Sequence, residues 1–145
     1  MQPATELAGF VAGFTCAEAT FVALRTRFAF RVSLGAADAG MCHALQAFFG
    51  VGNVYEYPRR KEHYDDEVVF SVQSLRDLVE VIVPFMDEHL RPSYKREQYD
   101  AWRAELLDYW EHRAKRRRPC TVDGCDHPNR ARGLCRHHYF QAFGA

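Results

Sequence analysis

Residues 7–21 read LAGFVAGFTCAEATF, and the division of this stretch between helix and strand decides the fold. From Thr5, a candidate N-cap, to Glu18 no proline interrupts a largely apolar run, which predicts a helix over residues 5–18. Its small residues fall in two i, i+4 rows, Gly9–Gly13–Ala17 and Ala8–Ala12–Cys16. A glycine inside a helix costs up to about 1 kcal/mol relative to alanine, so two of them need a reason. Small side chains at this spacing leave a flat stripe on which another helix packs closely. That helix is either one of the chain's own or the same helix of a second copy. The second case makes Gly9, Ala12, Gly13 and Cys16 a dimer interface. The last turn ends on Glu18, where free carbonyls and the helix macrodipole already present negative charge. An acid there is destabilising unless a cation sits with it. Two such helices side by side would bring two Glu18 carboxylates together near a two-fold axis. With exposed carbonyls such as that of Ala17, they would form a site for a divalent cation held by oxygen.

Beyond Glu18 the periodicity changes. Phe28, Phe30, Val32 and Leu34 alternate with Ala29, Arg31 and Ser33, a strand pattern for which residues 20–25 supply the hairpin partner. A second helix is predicted over residues 37–49, with Met41, Leu45, Phe48 and Phe49 at helical spacing and Gly50 as its stop. Strands follow at residues 51–57 and 67–73 around the polar loop PRRKEHYDD, with Phe70 and Val72 inward and Val69, Ser71 and Gln73 on the other face. Ser74 and Asp77 form a capping-box-like start for a third helix through residue 90, which Pro84 is expected to kink or end early. A fourth helix over residues 93–115 aligns Tyr99, Trp102, Leu106 and Trp110.

The order αββαββαα contains two α-β-β units in succession and belongs to the α+β class. Helices gathered on one face of an antiparallel sheet leave the other face free. That face would carry Arg25, Arg27, Arg31, Ser33, Tyr55, Tyr57, Arg59, Ser71 and Gln73, with Arg60 and Lys61 in the adjoining loop. Such groups suit a DNA groove, where they read base edges and phosphates, and they equally suit a plain solvated face.

The formal net charge is zero, but residues 1–90 hold 7 Lys and Arg against 12 Asp and Glu, whereas residues 91–145 hold 12 against 7. The basic half includes the run Arg113, Lys115, Arg116, Arg117 and Arg118, read either as a phosphate-facing patch or as solvated cations at a helix C-terminus. Residues 7–17 lack the basic leader of a signal peptide, and nothing is long enough to span a bilayer. Cys16 and Cys42 stand alone, whereas Cys120, Cys125 and Cys135 cluster beside histidines. That usage points to metal in a reducing compartment, so a cytoplasmic location is expected.

The stretch from Val11 to Phe21 resembles the signature of the LAGLIDADG homing endonucleases, single-motif type. The likeness continues in order through FRVSLG (30–35), LQAFFGVGNVY (45–55), FSVQSLRDL (70–78), VIVPFMD (81–87) and LRPSYKREQY (90–99). The resemblance implies an αββαββα fold with a saddle-shaped antiparallel sheet, a homodimer formed through the motif helices, and cleavage of both strands of a pseudo-palindromic DNA site with Mg²⁺. Carried over by position, Glu18 matches the metal-binding acid and Lys95 a basic residue at the edge of the active site, while Arg31 and Gln73 lie on the DNA face. Cys16 stands where the motif name has its first Asp. Ala19 replaces the glycine after the acid, where glycine would relieve strain at a helix-to-strand turn. The stretch LGAADAG (34–40) imitates the motif but precedes a helix, so Asp38 reads as an N-cap.

After Pro119 the chain becomes CTVDGCDHPNRARGLCRHHY. Cys120-x4-Cys125-x9-Cys135-x2-His138 supplies three thiolates and an imidazole, enough to close a tetrahedral Zn²⁺ site. Gly124 and Gly133 would allow the tight turns, and His127 and His137 compete as fourth ligand. Such a segment cannot bury a core, so metal would supply its folding energy. The expected organisation is an endonuclease domain over residues 1–115 and a basic linker with a zinc knuckle over residues 116–145. A rival use of the same fold drops the chemistry: a DNA-binding regulator or an RNA-splicing maturase descended from such an enzyme, which Ala19 favours.

Overall fold

Helix α1, Pro3–Glu18, passes without a break into strand β1, Ala19–Leu24, in a computed structural model. It describes residues 3–58, 62–63, 65–116 and 118–144, apart from the side chains of residues 3 and 114–116. The expected DNA contacts Arg59, Arg60, Lys61 and Arg117 lie outside the described residues, as does the side chain of Arg116. Because α1 begins at Pro3, Thr5 sits inside its first turns and is not the cap. Two compact units divide the chain, Met1–Leu107 and Asp108–Ala145.

In the first unit, β1 turns through Arg25 and Thr26 into β2, Arg27–Gly35. A 3₁₀ turn, Ala36–Asp38, leads to α2, Ala39–Phe49, which stops at Gly50 in the left-handed conformation. Asp38 occupies the N-cap position of α2 without a side-chain capping bond. Strands β3, Asn53–Tyr57, and β4, Glu67–Val72, complete an antiparallel sheet in the order β1-β2-β4-β3. Gly52 makes that closure possible: its φ is +87°, and a Cβ there would lie 2.8 Å from side-chain atoms of Phe70 and Val72. Only glycine fits a left-handed backbone pressed so close to β4.

The Ser74 hydroxyl accepts from the Asp77 N–H at 3.3 Å and starts a helical run in three pieces: α3 (Leu75–Asp77), a π turn (Leu78–Ile82) and α4 (Val83–His89). Pro84 therefore does not end the helix. It falls in the first turn of α4, where the wide turn ahead of it takes up the missing N–H. Helix α5, Tyr94–Arg116, is capped by the Ser93 hydroxyl accepting from the Arg96 N–H at 3.1 Å.

The helices cover one face of the sheet. Phe28, Phe30, Val32, Val68, Phe70 and Val72 meet Leu45, Phe49, Leu78, Ile82, Met86, Tyr99 and Leu106 in the core. Phe30, Phe49, Phe70 and Phe85 form a ring cluster with centroids 5.1–6.2 Å apart. A fully buried Phe contributes roughly 1.5–3 kcal/mol. Helix α5 locks over β1 through Trp102, whose Nε1 donates to the Val22 carbonyl at 3.0 Å, and through Phe21, packed in tilted contact with the rings of Tyr99 and Trp102. Tyr99 Oη donates to Asp87 at 2.6 Å, and Arg103 grips the same carboxylate with Nε and Nη2 at 2.9 and 3.0 Å. Burial, then the bond to Asp87, pushes the Tyr99 phenol well above its ordinary pKa. Among the described residues no helix is long and apolar enough to cross a membrane.

Candidate functional site

One side of α1 is buried in its own unit, through Ala8, Val11, Ala12 and Thr15. The opposite side carries exposed Gly9, Gly13 and Ala17, with exposed Leu7 and Phe10 beside them. A Cβ added at Gly9 or Gly13 would meet nothing within 4 Å. Nothing among the described residues therefore requires these two glycines. The two expected rows thus separate: Ala12, 5% exposed, packs inward and is not on the open stripe. Cys16 is half-buried, with Sγ 3.6 Å from Ser93 Oγ.

Glu18 closes the helix on the exposed side, with no basic residue in the last turn. Its carboxylate has no hydrogen bond or ion pair among the described residues, and none of these offsets its clash with the helix dipole. The Lys95 Nζ reaches the residue after Glu18, donating to the Ala19 carbonyl at 2.6 Å across 76 residues of sequence. An ammonium has three donors, so two remain for a further acceptor. Ala19 is buried and pairs with Val32. Among the described non-glycine residues only Arg25 and Arg132 have positive φ, so the step from α1 to β1 needs no glycine.

The register sorts the open sheet face. Cross-strand partners put Arg31, Ser33 and Gly35 of β2 beside Ser71, Val69 and Glu67 of β4, and these in turn beside Asn53, Tyr55 and Tyr57 of β3, while Arg27 and Ala29 pair with Leu24 and Val22 of β1. Arg31, Ser33, Tyr55 and Tyr57 are thus brought together as expected. The centre is less polar than the alternation implied, because β4 is buried on both faces: Val69 is 1% and Ser71 2% exposed. Ser71 lies between Arg31 and Asn53 in the register and accepts from Gln73 Nε2 at 3.2 Å. It orients Gln73 and is not itself open to a groove. Arg31 Nε is buried without a hydrogen-bond partner, the one such side-chain atom among the described residues. Arg25 sits in the β1–β2 turn at φ 49°, a conformation sequence reasoning did not anticipate.

In the second unit, the knuckle turns at Gly124 (φ 77°) and Gly133 (φ 80°), as their residue type suggested. Cys120, Cys125, Cys135 and His138 gather with ligand atoms all within 4.8 Å of one another. His138 Nδ1 lies 3.3 Å from both the Cys120 and Cys135 sulfurs, and Cys125 Sγ lies 3.9 Å from Cys135 Sγ. A tetrahedral Zn²⁺ with Zn–S of about 2.3 Å and Zn–N of about 2.0 Å requires S···S near 3.8 Å and S···N near 3.5 Å, so the cluster fits that ion. His127 reaches only Cys125, at 3.7 Å, and His137 is outside the cluster. Desolvation works against ionising Cys120, but N–H groups of Val122 and Cys135, with His138 and Cys125, outweigh it and hold the thiol down at about 6. Helix α6, Arg136–Phe143, which sequence periodicity did not reveal, carries His138. Arg118 is exposed, and its carbonyl accepts from Asn129 N–H at 2.8 Å.

An αββαββ unit with a helix-terminal acid, set on an antiparallel sheet with one open face, defines the class. A family model described as LAGLIDADG endonuclease matches residues 7–106, and the chain belongs to that family. No curated protein matches it. Among solved structures, I-SmaMI bound to uncleaved DNA target in the presence of calcium ions is 23% identical with a TM-score of 0.60, the match covering 72% of this chain and 38% of that one. The LAGLIDADG homing endonuclease I-LtrWI bound to target DNA is 18% identical at TM-score 0.60, over 72% and 37%. The homing endonuclease I-TnaI is 24% identical at 0.58, over 72% and 76%. The chain thus spans under two-fifths of the first two and about three-quarters of the third, and these likenesses establish its fold.

Proposed function

We propose that the chain is a metal-dependent homing endonuclease that acts as a homodimer on a pseudo-palindromic DNA site, cutting both strands. The observation that carries this is Glu18, an uncompensated acid at the end of a helix whose outer stripe is glycine. Two copies packed on Gly9 and Gly13 would set two such carboxylates side by side, and that site attracts a divalent cation. The lengths agree: a match covering 38% of I-SmaMI leaves room there for a second such unit, and one covering 76% of I-TnaI does not.

Glu18 and the Ala17 carbonyl would hold the catalytic cation. When bound, Mg²⁺ supplies Lewis acidity that activates water and offsets charge on the leaving oxygen. The remaining donors of Lys95 offset charge on the scissile phosphate. Arg27, Arg31, Tyr55, Tyr57 and Gln73 present donors to the groove. The ordinary backbone of Ala19 removes the feature that favoured a binding-only regulator or maturase. Cys120, Cys125, Cys135 and His138 would hold Zn²⁺ in a structural role, four protein ligands being enough to close the site.

The test is Mg²⁺-dependent cleavage of duplexes spanning the gene's flanking locus. Glu18→Gln should lose cleavage and keep binding; a variant that nicks at the wild-type rate contradicts the assignment.

A further inference from the structure

The C-terminal unit has an exposed face that cutting does not use. Helix α6 presents Phe140 and Phe143, three residues apart and 54% and 51% exposed. Each ring has a guanidinium near it: Arg136 lies 6.0 Å from the Phe140 centroid and Arg132 4.7 Å from that of Phe143. Next to Phe140 opens a cleft whose lining includes Pro128, Arg136, His137 and Gln141 and no acidic residue. The acids of this segment are Asp123 and Asp126, outnumbered by Arg130, Arg132 and Arg136.

Two large aromatic side chains facing water are unfavourable unless a partner covers them. Guanidinium groups at both rings would be stripped of water by an apolar protein surface or a bilayer interior, at high cost. A duplex satisfies both halves of the face: phosphates take the arginines, and the groove walls and base steps take the rings. We propose that α6 is a second DNA contact, with Arg132 and Arg136 on backbone phosphates of a duplex and Phe140 and Phe143 pressed into its groove. The choice of duplex DNA as partner rests on the nuclease reading, but the contact needs no cleavage.

The experiment measures binding of the full chain to a duplex of arbitrary sequence, and to one of its single strands, across a salt titration. Removing two phosphate contacts lowers the log–log salt slope by about 1.8, which at 0.15 M salt corresponds to about 30-fold weaker binding. Arg132→Gln with Arg136→Gln should show that change. Phe140→Ser with Phe143→Ser should weaken duplex binding at unchanged slope. Metal content equal to wild type shows that each variant keeps its knuckle. If either pair binds the duplex like wild type, or loses affinity for the single strand alone, the inference is overturned. The nuclease reading fails separately, through a Glu18→Gln variant that still cuts.

Discussion

Alanine at Gly52 and at Gly50 should differ sharply in cost, although both glycines are left-handed. At Gly50, φ is +68° and an added Cβ meets nothing within 4 Å, so only backbone strain counts, about 1–2 kcal/mol. At Gly52, φ is +87° and the Cβ would sit 2.8 Å from Phe70 Cε2 and Val72 Cγ2 and 2.9 Å from the Ser71 carbonyl oxygen. The rings and methyls have nowhere to go, because Phe70 and Val72 are fully buried, and the oxygen belongs to an inner strand of the sheet. Overpacking of about 1–3 kcal/mol adds to the strain, for a total of about 2–5 kcal/mol. The loss has a functional side, since Gly52 brings in β3 and with it Tyr55 and Tyr57 of the open face. Guanidinium unfolding of the two variants measures both costs. Equal losses, or a Gly52→Ala variant within about 0.5 kcal/mol of wild type, would refute the close-approach argument.

Tyr99 sets an alkaline limit. Its folded pKa is raised, so its contribution is complete below the unfolded value of about 10 and is lost as pH climbs from there toward the folded value. Stability measured from pH 9 to 12 should fall more steeply in wild type than in Tyr99→Phe, and parallel curves would count against the Asp87 bond as described. Metal analysis should return one zinc per chain, and Cys135→Ser should lose it. Proteolysis within residues 118–144 should then accelerate while Met1–Leu107 still unfolds cooperatively; a zinc-free chain with an equally resistant tail contradicts metal-dependent folding of the knuckle.

The two α-β-β units were legible because each signal was local: strand alternation at Phe28–Phe30–Val32, the Gly50 stop, the Ser74 cap. The gathering of Cys120, Cys125, Cys135 and His138 was legible for the same reason, chemistry packed into 19 residues of chain. Features set by distant neighbours were not. Ser71 and Val69 read as an outer face by alternation, yet flanking strands bury them. The rows of Ala12 and of Gly9 and Gly13 have the same i, i+4 spacing, but only packing says which row faces inward. The π turn ahead of Pro84 and the reach of Lys95 to Ala19 follow from tertiary fit, for which no residue pattern stands. Helix α6 is short and mixed in character, and its place is set by the cluster that His138 joins.

The paired-acid claim is tested most directly by mixing subunits. Wild-type and Glu18→Gln chains are co-refolded at varied ratios and fixed total concentration, and double-strand breaks are counted. If both acids of a dimer are required, breaks fall with the square of the wild-type fraction, to about a quarter at an equal mixture. A fall in direct proportion, to about half, would mean that each chain cuts alone and that α1 does not bring two carboxylates together.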